Sequence, residues 1–398
     1  MSSLNVLGTV DARLNLDQPV TLLADHVAQN VRYLRTPISA YSLSSTMSVS
    51  VPIPSLDTIV DRTVYLENAC EFTFAGTGSG NLVIPGDGRD GLRFAPFHAV
   101  CNNTNVSFNG LSFSSQSNEE VDPLWRTVDL SDKKLMPFPS MQDTYQQYSD
   151  NTSLGDGRNV LSPIGSNDAE VSRGGFNYTV VSTSSTATVV RVKWWEPLLC
   201  PPFVLPNMNN GLKGFANCTS ISFQFSMNGT PSGMWSHSSN GNTLSSVSVA
   251  YYQAPAIIMR LYQMNPLAGR IPDVINYETR HVQQYTSSEQ TLTTGSSVQN
   301  LSIPSVNLQS VPELILIYFR QRLSDRTLNT TDTYGSISAL ALDYNNRANL
   351  LSDCTEMDLY NISVKNGLKL DFPSWQKNVG SLIVLSPSDF GLEPNSVA

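Results

Sequence analysis

From Tyr41 onward the chain is written in period two. Thr46-Met47-Ser48-Val49-Ser50-Val51 alternates polar and apolar residues and then stops at Pro52 and Pro54. Such alternation sorts side chains onto a core face and a solvent face only when the backbone is extended. Further short segments rich in β-branched and aromatic residues follow at Thr63–Leu66, Glu71–Phe74, Val106–Phe108, Thr179–Ser182 and Thr188–Trp194. A second set runs through Ser220–Phe225, Val247–Tyr252, Ile257–Leu261, Val298–Ile303, Leu314–Phe319, Ile337–Leu342, Asn361–Val364 and Leu382–Leu385. Most are bounded by Gly, Pro, Asn or Asp, the residues that end strands. A parallel α/β chain would instead alternate strands with long helices. Only Pro123–Tyr148, broken at Pro137 and Pro139, and Ala348–Tyr360 read as helical within this part of the chain. The expectation is an all-β fold, with strand sets of the size that jelly rolls require.

The first 37 residues read differently. Val20, Leu23, Val27, Val31 and Leu34 recur at helical spacing, Asp17 or Thr21 is placed to cap, and Pro37 ends the run. Residues 1–37 are therefore expected to form an N-terminal arm with a short amphipathic helix. Pro201, Pro202 and Pro206 cannot join a central sheet, and Asn207–Gly211 is rich in turn residues. This divides the remainder into domains of residues 38–206 and 207–398. Ala75–Gly91 and Gly229–Ser245 read as long surface loops, the second projecting.

Charged residues make up only 14% of the 398 residues, and Ser, Thr, Asn and Gln fill the deficit. Such a surface can be buried without desolvating full charges. It suits contact with copies of itself or, equally, a solvated β surface rich in loops. The net charge is −9 and no basic stripe of a nucleic-acid binder is visible, and the N-terminal residues balance Arg13, Arg32 and Arg35 against Asp11, Asp17 and Asp25. Cys70, Cys101, Cys200, Cys218 and Cys354 are odd in number and widely spaced, which argues against a disulfide framework or a zinc site. Buried thiols in a reducing compartment are expected. No apolar core of a signal peptide stands in the first twenty residues, and no run approaches a membrane span.

The residue types that carry chemistry are present but scattered. His26, His98, His237 and His281 have no partner at ligand spacing, and a structural role is expected for His98. Glu119–Glu120 and Glu196 are carboxylates without a mark that would pair them across a sugar. Trp194–Trp195 has the composition of a stacking platform, but at a strand end reads as core plus interface. Gly76-Thr77-Gly78-Ser79-Gly80 lacks the lysine and helix of a phosphate cradle. Gly86-Asp87-Gly88-Arg89-Asp90-Gly91 lacks the terminal Glu of a calcium loop. No catalytic, metal or cofactor site is assigned.

Several phrases, taken in order, resemble the double-jelly-roll major capsid proteins of the adenovirus-hexon lineage, above all those of Polinton-like viruses and virophages. They are Phe94-Ala95-Pro96-Phe97, then Asn105-Val106-Ser107-Phe108-Asn109-Gly110, then Val121-Asp122-Pro123-Leu124. Glu196-Pro197-Leu198-Leu199 with Pro201-Pro202-Phe203 is similar to the family's crossing between barrels. Asp343-Tyr344-Asn345-Asn346, Asp358-Leu359-Tyr360, Lys365-Asn366-Gly367 and Gly380-Ser381 continue the likeness toward the C-terminus. Physically, Asn109-Gly110 suits a tight turn with positive φ. The resemblance implies two eight-stranded jelly rolls side by side. It further implies a homotrimer of pseudo-hexagonal outline, assembled inside the host cell without a secretory signal, that tiles an icosahedral virion. Neighbouring capsomers and a penton or minor capsid protein would be its partners. Two other readings stay open: a carbohydrate-binding or adhesive β protein, and a two-domain β hydrolase with paired acids in a cleft.

Overall fold

The computed structural model describes residues 6–9, 20–23, 30–53, 58–83, 90–129, 177–204, 214–237, 242–263, 282, 300–303, 305–306, 311–328, 334–344 and 347–391. The period-two segments are strands and their alternation is the burial pattern. In β4 (Thr46–Val51), Met47, Val49 and Val51 face inward. In β11 (Ile221–Met227), Ile221, Phe223, Phe225 and Met227 do the same. In β10 (Ala187–Pro197), Val190, Val192 and Trp194 are buried while Arg191, Lys193 and Trp195 face out.

The spine of the first body is β5 (Thr58–Thr77), a single 20-residue strand where two short ones were expected. Residues 67–70, left between the two expected strands, continue β5, and Glu67 is paired in the sheet with Lys193 at 2.5 Å and Arg35 at 2.7 Å. One edge of β5 pairs with β10, which pairs in turn with β9 (Asn177–Thr183). The other edge takes β13 (Thr243–Tyr251) and then β14 (Ala256–Gln263) end to end. Beyond β14 lies β3 (Asn30–Pro37). A second sheet runs β4, β11, β7 (Cys101–Phe108), β8 (Leu111–Ser115). One core joins the two sheets, with Phe72 and Phe74 around Trp235 on one side and Phe97, Phe203, Phe223 and Phe225 on the other. The turn between β7 and β8 has φ of 50° at Asn109 and 83° at Gly110, as the Asn-Gly pair predicts. Asn109 Oδ1 accepts from the Thr219 and Ser220 amides at 2.8 and 3.2 Å, which fastens the turn to the start of β11.

The second body is smaller among the described residues. β15 (Ile315–Tyr318) pairs with β18 (Leu382–Leu385), and β16 (Leu342–Tyr344) with β17 (Arg347–Leu350). Its core gathers Trp375, Leu359, Leu368 and the four residues of β18.

Several expectations are corrected. Among the described residues of 1–37 there is no helix: they form β1 (Val6–Thr9), β2 (Val20–Leu23) and β3. The hydrogen-bonding edge of β14 claims Asn30–Pro37, and β-branched Val20 and Thr21 suit an extended pair with β1. The described residues of Gly229–Ser245 are not all loop. They contain α3 (Pro231–Met234) and β12 (Trp235–His237), and Met234 and Trp235 are fully buried. Asn361–Val364 is not a strand and the expected helix does not begin at Ala348. Both stretches belong in part to α4 (Glu356–Lys365), whose start is set by a reciprocal cap between Thr355 and Asp358. Ala348 lies in β17. Residues 300–303, and 337–341 before β16, carry no strand. In the Pro123–Tyr148 segment, a helix ends at Trp125 and residues 130–148 lie outside the described residues.

The chain does not leave the first body at 206/207. Leu198 and Val204 amides still bond to Val64 and Arg62 carbonyls of β5, at 2.8 and 3.1 Å, and Phe203 is core. The next strand, β11, then lies between β4 and β7. The prolines end a sheet edge without ending the domain.

Candidate functional site at the seam between the bodies

A dense polar constellation lies at the seam where α2 (Ser117–Trp125) of the first body meets the second. Arg126 follows this helix and is wholly buried. Its Nε and Nη2 donate to Asp122 Oδ1 and Oδ2 at 3.2 and 3.3 Å, a bidentate pair. The i,i+4 spacing of Asp122 and Arg126 puts the two on one face of a helix. The guanidinium carbon lies 3.4 Å from the Tyr334 ring centre, and that ring stacks on Tyr318 at 4.6 Å and 15°. Arg126 Nη1 also donates to the Gly380 carbonyl at 3.4 Å, and the Lys369 amide donates to the Arg126 carbonyl at 3.0 Å. One first-body residue thus grips three segments of the second body.

Glu119 adds a parallel tie. Its Oε2 accepts from Arg320 Nη2 at 2.5 Å and from the Tyr318 hydroxyl at 3.0 Å. Burial works to lower the Arg320 pKa, but Glu119, Tyr334, Tyr318 and Asp122 together hold it above its ordinary value. Burial, then the charge of Asp122, pushes the Tyr334 phenol well up. These shifts hold the Arg320 guanidinium charged and the Tyr334 phenol neutral.

A third fastening lies further along. Arg93, 1% exposed, donates from Nε to the Ser232 carbonyl at 2.7 Å and from Nη2 to the Thr327 carbonyl at 2.8 Å. The Leu328 carbonyl accepts from the His237 amide at 3.0 Å. The segment after β15 is thereby sewn onto β12 and α3.

The carboxylates and histidines weighed from the sequence are dispersed. Glu120 caps its own helix, accepting from Ser115 Oγ and the Gln116 amide at 2.9 Å each, and so does not face Glu119 as a second acid. Glu196 and His98 do come together, 3.8 Å apart and fully buried. His98 lies in α1 (Pro96–Val100), not at a strand end. Glu196 accepts from the Phe97 and His98 amides at 2.8 and 3.2 Å and from the Trp194 indole at 2.5 Å. Burial nonetheless raises its pKa to about 7. Burial lowers that of His98 to about 4, against the pull of the Pro197 carbonyl. The pair locks α1 onto the end of β10. His237 Nδ1 sits 2.7 Å from Asp90 Oδ1 and joins β12 to β6 (Asp90–Leu92). His26, His281 and Gly86–Arg89 lie outside the described residues.

Trp194 and Trp195 point to opposite faces of β10, one buried and one exposed, so they form no stacking platform. At Gly76 a Cβ would overlap the Thr243 carbonyl, and at Gly78 the Asn242 side chain. These glycines allow β13 and Asn242 to pack closely. Cys70, Cys101, Cys200 and Cys218 are buried in the first body and form no disulfide. Among the described residues no cluster of His, Cys, Asp or Glu could hold a metal.

Sequence reading missed the seam. The spacing of Asp122 and Arg126 was visible, but their partners stand some two hundred residues away with no local signal.

Comparison with known proteins gives concordant matches. Residues 4–265 match the family described as Sputnik virophage major capsid protein 1st domain. Residues 281–389 match the major capsid protein V20 C-terminal domain. The putative capsid protein V20 of Sputnik virophage is 27% identical over 390 residues, which is 92% of this chain and 63% of that protein. The chain therefore spans less than two thirds of that relative's length. Among solved structures, a chain of the Sputnik virophage cryo-EM structure superposes with a TM-score of 0.75 at 25% identity, over 98% of this chain and 83% of that one. The mavirus major capsid protein superposes with a TM-score of 0.61 at 14% identity, over 99% and 86% of the two chains, a likeness of fold. The all-β, two-jelly-roll architecture expected from the sequence is the fold these likenesses support.

Proposed function

The chain belongs to the Sputnik-type virophage major capsid protein family, and from that premise we propose that it is the repeating structural subunit of an icosahedral shell. Three copies, each contributing two barrels, would give a trimer of pseudo-sixfold outline, and such trimers would tile the capsid. The observation that carries the reading is the likeness to a Sputnik virophage chain along 98% of the sequence, through both bodies. The seam supports it. A tile must keep its two barrels in fixed relation, and Arg126, Glu119 and Arg93 tie them through hydrogen bonds and ion pairs. The role is structural and needs no reaction. The division between the bodies, on this reading, falls after β14 and before β15, with β11 to β14 in the first. The protein would reside in the virion after assembly inside the host cell. Its partners would be neighbouring capsomers and a penton or minor capsid protein, with the nucleic acid left to other proteins.

Light scattering coupled to size exclusion, followed by electron microscopy of the same fractions, tests this. The expected result is a mass three times that of the chain and pseudo-hexagonal particles. A compact monomer that persists at high concentration overturns it.

A further inference from the structure

The two outward sheet faces of the first body are chemically unlike. The face built on β5 and β10 is charged, with Arg191 on Glu71 at 2.8 Å and both Lys193 and Arg35 on Glu67. The outer face of the β4-β11-β7-β8 sheet carries no charge. Register aligns Ser50, Ser222, Ser107 and Ser112 in one row across the four strands. The next row is Ser48, Gln224, Asn105 and Ser114. A third is Thr46, Ser226 and Asn103. Every position is a hydroxyl or an amide, and all are exposed or half-exposed.

We propose that this face is a homotypic contact, at which the first body meets a second copy of the same chain. Three observations choose that occupant. Each copy carries a net charge of −9, so two copies repel at a distance, and this face adds no charge of its own to that repulsion. Hydroxyls and side-chain amides both donate and accept, so the surface is complementary to itself in many registers. A charged face lacks that property. The side chains are mostly short, so ordering them costs little entropy.

The area assigns the contact a place in the assembly. Four strands about 4.8 Å apart and six residues long span roughly 400 Å2. A stable pair buries about 800 Å2 per partner. The face alone is too small to hold a trimer together. It fits a weak contact between trimers, effective only when repeated across a shell. This inference rests on the shell-forming reading above.

The test places a charge at the centre of the face in the full-length chain. Gln224→Lys is compared with wild type and with Thr73→Lys, a charge on the other sheet's exposed face. The readouts are trimer mass, melting temperature, and the concentration at which particles appear by light scattering and electron microscopy. In the expected result Gln224→Lys melts as wild type and remains trimeric, but needs about tenfold more protein to assemble. Thr73→Lys and the uncharged Gln224→Ser assemble as wild type. Should Gln224→Lys misfold, Ser48→Lys on the edge strand β4 is read in the same way. Assembly of the charged variant at the wild-type concentration overturns the proposal while leaving the shell reading intact. A wild-type chain that never passes beyond monomer removes the shell reading itself.

Discussion

Replacing Arg126 by methionine removes the centre of the seam while keeping much of the side-chain volume. In the native chain the guanidinium is fully buried, bidentate on Asp122 and 3.4 Å above the Tyr334 ring. Removing one partner of a buried ion pair costs roughly 3–5 kcal/mol, because the other charge stays behind. Asp122 retains 15% exposure, so the lower part of that range applies. A desolvated cation–π contact adds about 2 kcal/mol, part of which the methionine recovers by packing on Tyr334. The expected loss is about 4 kcal/mol, felt by the second body more than the first, since each has its own hydrophobic core. Urea-dependent hydrogen exchange measures the two separately, through the amides of β18 and of β11. Protection of β18 should fall by about 4 kcal/mol while β11 changes by less than about 1 kcal/mol. Adding Asp122→Asn to Arg126→Met should return about half of the loss, because the orphaned charge is gone. Native protection of β18 in Arg126→Met would refute the seam as a structural tie.

Glu196 and His98 give stability two opposing pH dependences. The folded pKa of Glu196 is raised from 4.5 to about 7, so its contribution falls as pH rises between those values and is lowest above about 7. The folded pKa of His98 is lowered from 6.5 to about 4, so its contribution is full above 6.5 and is lost as pH falls toward 4. Glu196 acts alone between pH 6.5 and 7, and Glu196→Gln should abolish the decline there while keeping the acid limb. Melting temperature against pH checks this, and a slope that survives in the variant contradicts it. Gly380 has φ of 91°, and a Cβ there would overlap the Tyr334 carbonyl. Gly380→Ala should therefore cost more than about 3 kcal/mol and open the seam at Tyr334. A melting temperature within two degrees of wild type, measured on soluble protein, would refute that estimate.

What was legible in the sequence follows from how local each signal is. Period two in Thr46–Val51 and Ser220–Phe225 needs only a strand with one wet face, and the strands found are Thr46–Val51 and Ile221–Met227. Asn109-Gly110 encodes its turn in two residues, and both take positive φ. The failures are places where distant partners outvote local spacing. Val31 and Leu34 sit at helical spacing, yet Asn30–Pro37 pairs with a strand more than two hundred residues later. Gly229–Ser245 is loop-like in composition, but Trp235 fills the space between Phe72 and Phe74, with its indole donating to Asp90. Pro201 and Pro202 look like a linker because they break a sheet, and the chain uses them to turn a corner within one body. The Thr355–Asp358 cap shows the reverse case, a local signal strong enough to override the β-branched Ile362 and Val364 that follow it.

The placement of charge ties these features to one design. Inside the chain, buried charges at the seam have fixed counterparts, Arg126 with Asp122 and Arg320 with Glu119. Such pairs are costly to form and more costly to leave half-made, which makes them suited to contacts formed once, during folding. A shell must instead be closed by many contacts that can form, break and re-form until the lattice is correct. Uncharged hydroxyl and amide faces suit that task, because a misplaced contact strands no buried charge. The low charged fraction that first marked the sequence therefore has a location. It is low where the rows of Ser48, Ser50, Ser222 and Gln224 meet solvent, and not at the seam.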